Sequence, residues 1–230
     1  MPNVFGFCTA PSAGGDFTPI LKYDARAGRI FRMERVETDN GFESKAVDIT
    51  DGFKAIFDFE HVEVGWIHFL AGSAPDFKLV PIGNELPDKP SASHKNGIRS
   101  MMKLAKDCAG GSAAVREIAG TSKAFLAGVE ALYIGCEANA AANPGKLPVV
   151  VLDKVTTVKT GTGAKSSTNF QPVFRIVGWV ARGDFVFVPK SMQLGQAASQ
   201  PIPQVATPPT TGSIRAQAPS QENPTDEDFG

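Results

Sequence analysis

Leu147-Pro148-Val149-Val150-Val151-Leu152-Asp153-Lys154-Val155-Thr156-Thr157-Val158-Lys159 is the stretch on which the fold turns. Seven of its thirteen residues are β-branched, which suits a pleated, half-buried surface and predicts a strand over 147–159. The residues 160–170 that follow are rich in Gly, Thr and Ser and read as a long hairpin loop. A second strand over 171–182 then pairs back onto the first.

Upstream, further short apolar runs predict strands at 19–23, 29–36, 45–49, 54–59, 62–70 and 77–81. Asp24-Ala25-Arg26-Ala27-Gly28 joins the first two as a hairpin turn, and Asp51-Gly52 and Ala74-Pro75-Asp76 punctuate the later ones. The runs are too closely spaced for intervening helices, so antiparallel pairing is expected. Past Pro87 and Pro90 the spacing changes. Ile98, Met101, Met102 and Ala105, then Val115 and Ile118, then Phe125, Leu126, Val129, Leu132, Tyr133 and Cys136 recur at helical intervals. Gly120 breaks this pattern and Thr121 and Ser122 are candidate caps, so a helical insertion is expected over about 93–140.

Strands, helix, then strands returning to the same sheet predict a mainly β (α+β) chain. Five-stranded oligonucleotide-binding (OB) barrels carry their helix between the third and fourth strands and match this order. Other β-sandwiches satisfy it too. The expected organisation is an N-terminal arm over 1–15, an OB-fold-like antiparallel barrel over 16–190 and a disordered tail over 191–230. The tail is built from Gln, Ala, Pro, Thr and Ser with almost no large apolar residues, too little to offset the entropy of ordering.

Of the 230 residues 42% are hydrophobic and 20% charged, enough to bury a core. No apolar run approaches a membrane span, and the first fifteen residues lack the pattern of a signal peptide. The expected compartment is the cytoplasm, that of the host cell if a phage encodes the chain. Cys8, Cys108 and Cys136 are odd in number and far apart, which predicts reduced thiols. The net charge of −1 conceals an asymmetry: the tail sets Arg215 against Glu222, Asp226, Glu227 and Asp228, leaving +2 for residues 1–190.

Catalysis has no visible home. Thr160-Gly161-Thr162-Gly163-Ala164-Lys165-Ser166 lacks the glycine spacing of a phosphate-binding loop and precedes a strand instead of a helix. Asp48, Asp51, Asp58, Glu60 and Glu63 offer carboxylates for a metal-dependent nuclease, the competing functional class, but alternation spreads them over strand edges. His61, His68 and His94 have no metal-ligand spacing. Neither cofactor nor metal is expected.

Nucleic-acid binding has two candidate surfaces. The first hairpin carries Lys22, Tyr23, Arg26, Arg29, Phe31 and Arg32, which combine cations for phosphates with rings for stacking. In the last strand, alternation sets Arg175, Val177 and Trp179 on one face and Phe174, Ile176 and Val180 on the other. Arg182 ends that strand, and the loop with Lys159 and Lys165 would close over it. Trp179 and Trp66 each admit a core or a surface role.

Three segments together resemble the single-stranded DNA-binding proteins of tailed phages: Asp58-Phe59-Glu60-His61-Val62-Glu63-Val64-Gly65-Trp66, the closing strand from Pro172 to Arg182, and the terminal Asp226-Glu227-Asp228-Phe229. The resemblance implies sequence-independent binding of single-stranded DNA by an OB barrel, in replication, recombination or repair. It also implies that Asp226, Glu227, Asp228 and Phe229 recruit replication or recombination proteins. A scaffold protein with a functional tail is a third reading. A homodimer is compatible with all of these.

Overall fold

The structure, a computed structural model, describes residues 19–39, 41–71, 74–163 and 166–183. The expected N-terminal arm and acidic-ended tail lie outside the described residues. Among the described residues ten strands form one sheet: β1 (Ile20–Asp24), β2 (Arg29–Thr38), β3 (Gly41–Asp48), β4 (Lys54–Phe57), β5 (Glu63–His68), β6 (Asp76–Pro81), β7 (Lys95–Leu104), β8 (Val115–Gly120), β9 (Lys146–Thr160) and β10 (Ser167–Ala181). A 3-10 turn (Phe59–His61) separates β4 from β5, a single-turn helix α1 (Lys106–Ala109) separates β7 from β8, and α2 (Lys123–Ala140) joins β8 to β9.

The strand order is β10-β9-β4-β7-β8-β1-β2-β3, with β5 and β6 branching from β7. Every pairing is antiparallel except β1 with β8. The fork arises because β4 pairs with Met102–Leu104 of β7 and β5 with Lys95–Arg99, the 3-10 turn between them redirecting the chain. The ladder is open. Its far parts nonetheless touch: the Phe170 N–H in β10 donates to the Ala25 carbonyl at 2.7 Å, and the Tyr23 hydroxyl donates to the Phe170 carbonyl at 2.8 Å. Gly28, at φ 68°, lets the β1–β2 turn sit against Phe170 and Val155, where a Cβ would meet the Phe170 Cβ at 3.0 Å.

Leu21, Ile30, Met102, Leu104, Ile118 and Val150 point to the inside of this curl. An aromatic chain crosses it, Phe174 to Phe57 at 5.9 Å, Phe57 to Phe59 at 5.6 Å and Phe59 to Tyr133 of α2 at 5.6 Å. α2 begins where predicted, because the Ser122 side chain accepts the Phe125 N–H. It buries Phe125, Val129, Leu132 and Cys136 on one stripe. Gly128 allows the closest approach: a Cβ there would lie 2.5 Å from the Pro172 carbonyl oxygen.

The mainly β prediction holds, and all eight predicted strands exist. The helical insertion over 93–140 is corrected. Only Lys123–Ala140 is a long helix; Lys95–Leu104 and Val115–Gly120 are paired strands at the centre of the sheet. In β7, inward Ile98, Ser100, Met102 and Leu104 alternate with outward Arg99, Met101 and Lys103, and the apolar Met101 on the outer side imitates helical spacing. Cys108 and Cys136 are free and buried, and burial pushes both thiols up from their ordinary pKa. Among the described residues no helix is long and apolar enough to cross a membrane.

Candidate nucleic-acid interface

Register decides which side of the sheet each predicted residue occupies. Lys22 stands opposite Phe31, and Asp24 opposite Arg29. Ile20 stands opposite both Met33 and Glu117, Glu117 opposite Met101, and Ala119 opposite Arg99. These residues share the outer side of β7, β8, β1 and β2. The same side continues into β3, where Arg35 faces Ser44 and the Arg35 guanidinium lies 3.7 Å from the Phe42 ring centroid. Arg35, Lys22, Ile20 and Phe42 are exposed and Phe31 and Met33 half-buried, so cations and apolar rings alternate on one open surface.

Several cations of this surface are already paired. Arg29 reaches Asp48 at 2.6 Å, and Thr50 and Arg29 together hold the Asp48 carboxyl below its ordinary pKa. The Arg99 side chain donates to Glu63 and lies 5.0 Å over the Phe77 ring. Lys22 and Lys103 have no ion pair among the described residues. β1 and β8 pair only at Ile20 and Leu21 and then splay. The gap becomes a groove of about 780 Å³, walled by Lys22, Phe69, Phe77, Arg99, Thr121 and Phe125. Phe69 is 49% exposed at its mouth.

Three predicted contacts are corrected because they face inward or are held elsewhere. Tyr23 points under the sheet, stacks on Phe125 at 5.6 Å and, through burial and then the neighbouring Asp24, has its phenol pushed up to about 12. Arg32 points inward too, donating to the Cys108 carbonyl at 2.7 Å. Its Nε lies 2.6 Å from Glu34 at an angle that makes the contact an ion pair without a hydrogen bond. Glu34 is shared with the buried Arg116, whose guanidinium burial would otherwise strand. Arg182 donates to Asp58 at 2.7 and 3.2 Å and reaches Glu60 at 2.7 Å, which raises its pKa.

The last strand does not present Arg175 with Trp179. Its register shifts between Val173 and Phe174 and again between Ile176 and Gly178, so alternation fails. Arg175 remains exposed and pairs with Asp153 at 3.0 Å. Trp179 turns onto the core and lines a crevice with Tyr133, Cys136 and Pro148. Trp66 is half-buried, its indole N–H donating to the Pro87 carbonyl at 2.7 Å. Arg26 is exposed in the β1–β2 turn, whose Arg26 and Ala27 N–H groups donate to the Asp24 side chain. The Phe170 contacts bring the β9–β10 hairpin, with exposed Lys159 opposite Thr168, beside that turn. Lys165, Asp226, Glu227, Asp228 and Phe229 lie outside the described residues.

The acidic residues do not converge as a set. Glu63 is bound to Arg99, and Asp48 to Arg29 and Thr50. Asp58, Glu60 and His61 do offer ligand atoms within 4.8 Å of one another, but the Arg182 guanidinium bridges both carboxylates and His61 Nδ1 lies 2.7 Å from Asp58. The Arg182 guanidinium thus already engages both carboxylates, and the Asp58 side chain caps the 3-10 turn by accepting the Glu60 N–H. Sequence reasoning missed Arg35, Phe42, Phe69, Phe77 and Arg99. Phe69-Leu70 at a strand end was the one available signal, since a turn cannot bury two such residues.

Compared with protein-family models, curated proteins and solved structures, the chain matches none.

Proposed function

We propose that the chain binds single-stranded DNA without sequence preference and without catalysis, in phage-type replication, recombination or repair. The observation that carries this is the outer side of β8, β1, β2 and β3, where Lys22 and Phe31 face each other and Arg35 stacks on Phe42, beside a groove rimmed by Phe69, Phe77 and Lys22. Cations that track phosphates next to rings that stack any base are what sequence-independent binding requires.

Strand order supports the OB reading. Taking β4 with β5 as a first strand, β7 and β8 as second and third, and β9 and β10 as fourth and fifth, α2 falls between third and fourth. The first strand then pairs with the second and the fourth, as in such barrels. β1 occupies the remaining gap, paired to β8 and hydrogen-bonded through Ala25 and Tyr23 to Phe170. In OB barrels the second and third strands and the loop between the fourth and fifth contact the ligand. Here those elements are β7, β8 and the hairpin loop after Lys159. The resemblance adds a role for Asp226, Glu227, Asp228 and Phe229 in recruiting replication or recombination proteins.

Anisotropy titration of labelled oligonucleotides tests the reading. Single strands are expected to bind more tightly than duplex, with log affinity falling with log salt at about −0.7 per neutralised phosphate. Equal affinity for duplex, or indifference to salt, overturns it. Deleting residues 220–230 is expected to abolish capture of a replication protein; unchanged capture removes the recruitment role.

A further inference from the structure

We propose that β3 pairs, antiparallel and in one register, with β3 of a second copy of this chain, extending the sheet across a two-fold axis at Ser44. Among the described residues β3 ends the strand order, and Gly41 to Ala46 are all exposed. The Ile49 N–H donates to the Ile30 carbonyl, so odd-numbered residues along this segment turn their main-chain groups toward β2. Phe42, Ser44 and Ala46 therefore turn theirs outward, a row of donors and acceptors along an open edge.

Sequence selects the occupant and the register. With Ser44 opposite Ser44 of the second copy, Glu43 stands opposite Lys45 and Lys45 opposite Glu43, while Phe42 stands opposite Ala46. Moving the axis to Glu43 sets Glu43 against its own copy, and moving it to Lys45 does the same for lysine. Like charges directly opposite are unfavourable and opposite charges favourable. Glu43 and Lys45 have no ion pair among the described residues. A lone lysine would only guard an edge. The Glu43-Ser44-Lys45 triplet instead makes the edge complementary to itself, as an isologous two-fold contact demands. The axis stands perpendicular to the sheet, so the outer sides of both copies, each with Phe31, Arg35 and Phe42, form one continuous surface. Pairing of the two β3 strands is independent of what that surface binds.

Sedimentation velocity on the full chain without DNA, at low salt and over a wide range of protein concentration, tests it. The natural chain is expected to pass from monomer to dimer. Glu43→Lys and Lys45→Glu should each weaken the dimer by roughly tenfold, because each dimer contains the pair twice, and the double reversal should restore it. A monomer at every concentration, single reversals without effect, or a double reversal without recovery overturns the proposal. As a second reading independent of charge, Ser44→Cys should oxidise to a chain-to-chain disulfide, and Glu85→Cys, exposed elsewhere, should not. Equal behaviour of the two cysteines overturns it as well.

Discussion

The β1–β2 and β9–β10 hairpins carry much the same residue types, arginines, lysines and aromatic rings on long antiparallel ribbons, and use them differently. In β1–β2 the register is unbroken from Ile20–Met33 to Asp24–Arg29. Each residue pair therefore has a definite side, Lys22 and Phe31 outside, Tyr23 and Ile30 inside. In β9–β10 two register shifts intervene. There Trp179 turns to the core, Arg175 is matched by Asp153 and Arg182 by Asp58 and Glu60. Side-chain alternation is as informative as the register beneath it is continuous, and a bulge of one residue exchanges core and surface for everything beyond it.

The largest expected effect lies in the second hairpin. Arg182→Ala leaves the buried Asp58 carboxylate with His61 but without its guanidinium, and removing one partner of a buried pair costs about 3 kcal/mol. Urea denaturation should show that loss while single-stranded DNA affinity stays unchanged. An affinity loss at constant stability would break the contrast and return Arg182 to the interface.

In the first hairpin the outcome should reverse. Phe31→Ala is expected to weaken single-stranded DNA binding by about 1 to 3 kcal/mol in a folded protein, the worth of one stacked base. Trp179→Ala should lower stability and leave the affinity of the folded fraction as it was. Anisotropy and denaturation on the same samples separate the two. Should Trp179 and not Phe31 control affinity, the binding surface belongs to β10.

How much of this was legible follows from where charge sits. The eight strands predicted from the sequence show there because their turns are marked by Gly, Pro and Asp and their apolar residues alternate. β8 could not be read that way: Arg116 is almost wholly buried, satisfied by Glu34 and the Met33 carbonyl, and Val115 is 36% exposed. Polar-in and apolar-out inverts the usual pattern, and only the distant Glu34 explains it. The partition of Lys22 from Arg32 was implicit in alternation. The groove was not, since it depends on β1 and β8 splaying, a tertiary fact that neither strand records.

Packing on α2 gives a smaller test of the same ribbon. Gly128→Ala would force a Cβ against the Pro172 carbonyl in β10, and overpacking of that kind costs about 1 to 3 kcal/mol. Gly135, on the same helix with nothing within 4 Å of its added Cβ, should instead gain roughly 0.5 to 1 kcal/mol as alanine. Thermal denaturation of the pair reads both signs; equal effects would mean that α2 does not press on β10 at Gly128.

The smallest expected effect concerns the tie between the two hairpins. Tyr23→Phe keeps the ring on Phe125 and removes the hydroxyl that donates to the Phe170 carbonyl, a loss of about 1 kcal/mol near neutral pH, where the phenol is protonated in both folded and unfolded chains. The alkaline side is more diagnostic. Because the folded phenol ionises only at about 12, while an unfolded tyrosine does so at 10, the unfolded chain releases its proton first. Stability contributed by neutral Tyr23 is complete below pH 10 and falls as pH rises from 10 towards 12. The Phe variant should lack that part of the alkaline decline, so the stability difference between the two proteins shrinks and then reverses across this window. Parallel curves would show that Tyr23 ionises equally in both states, and that the β1–β2 turn is not seated on β10 in solution.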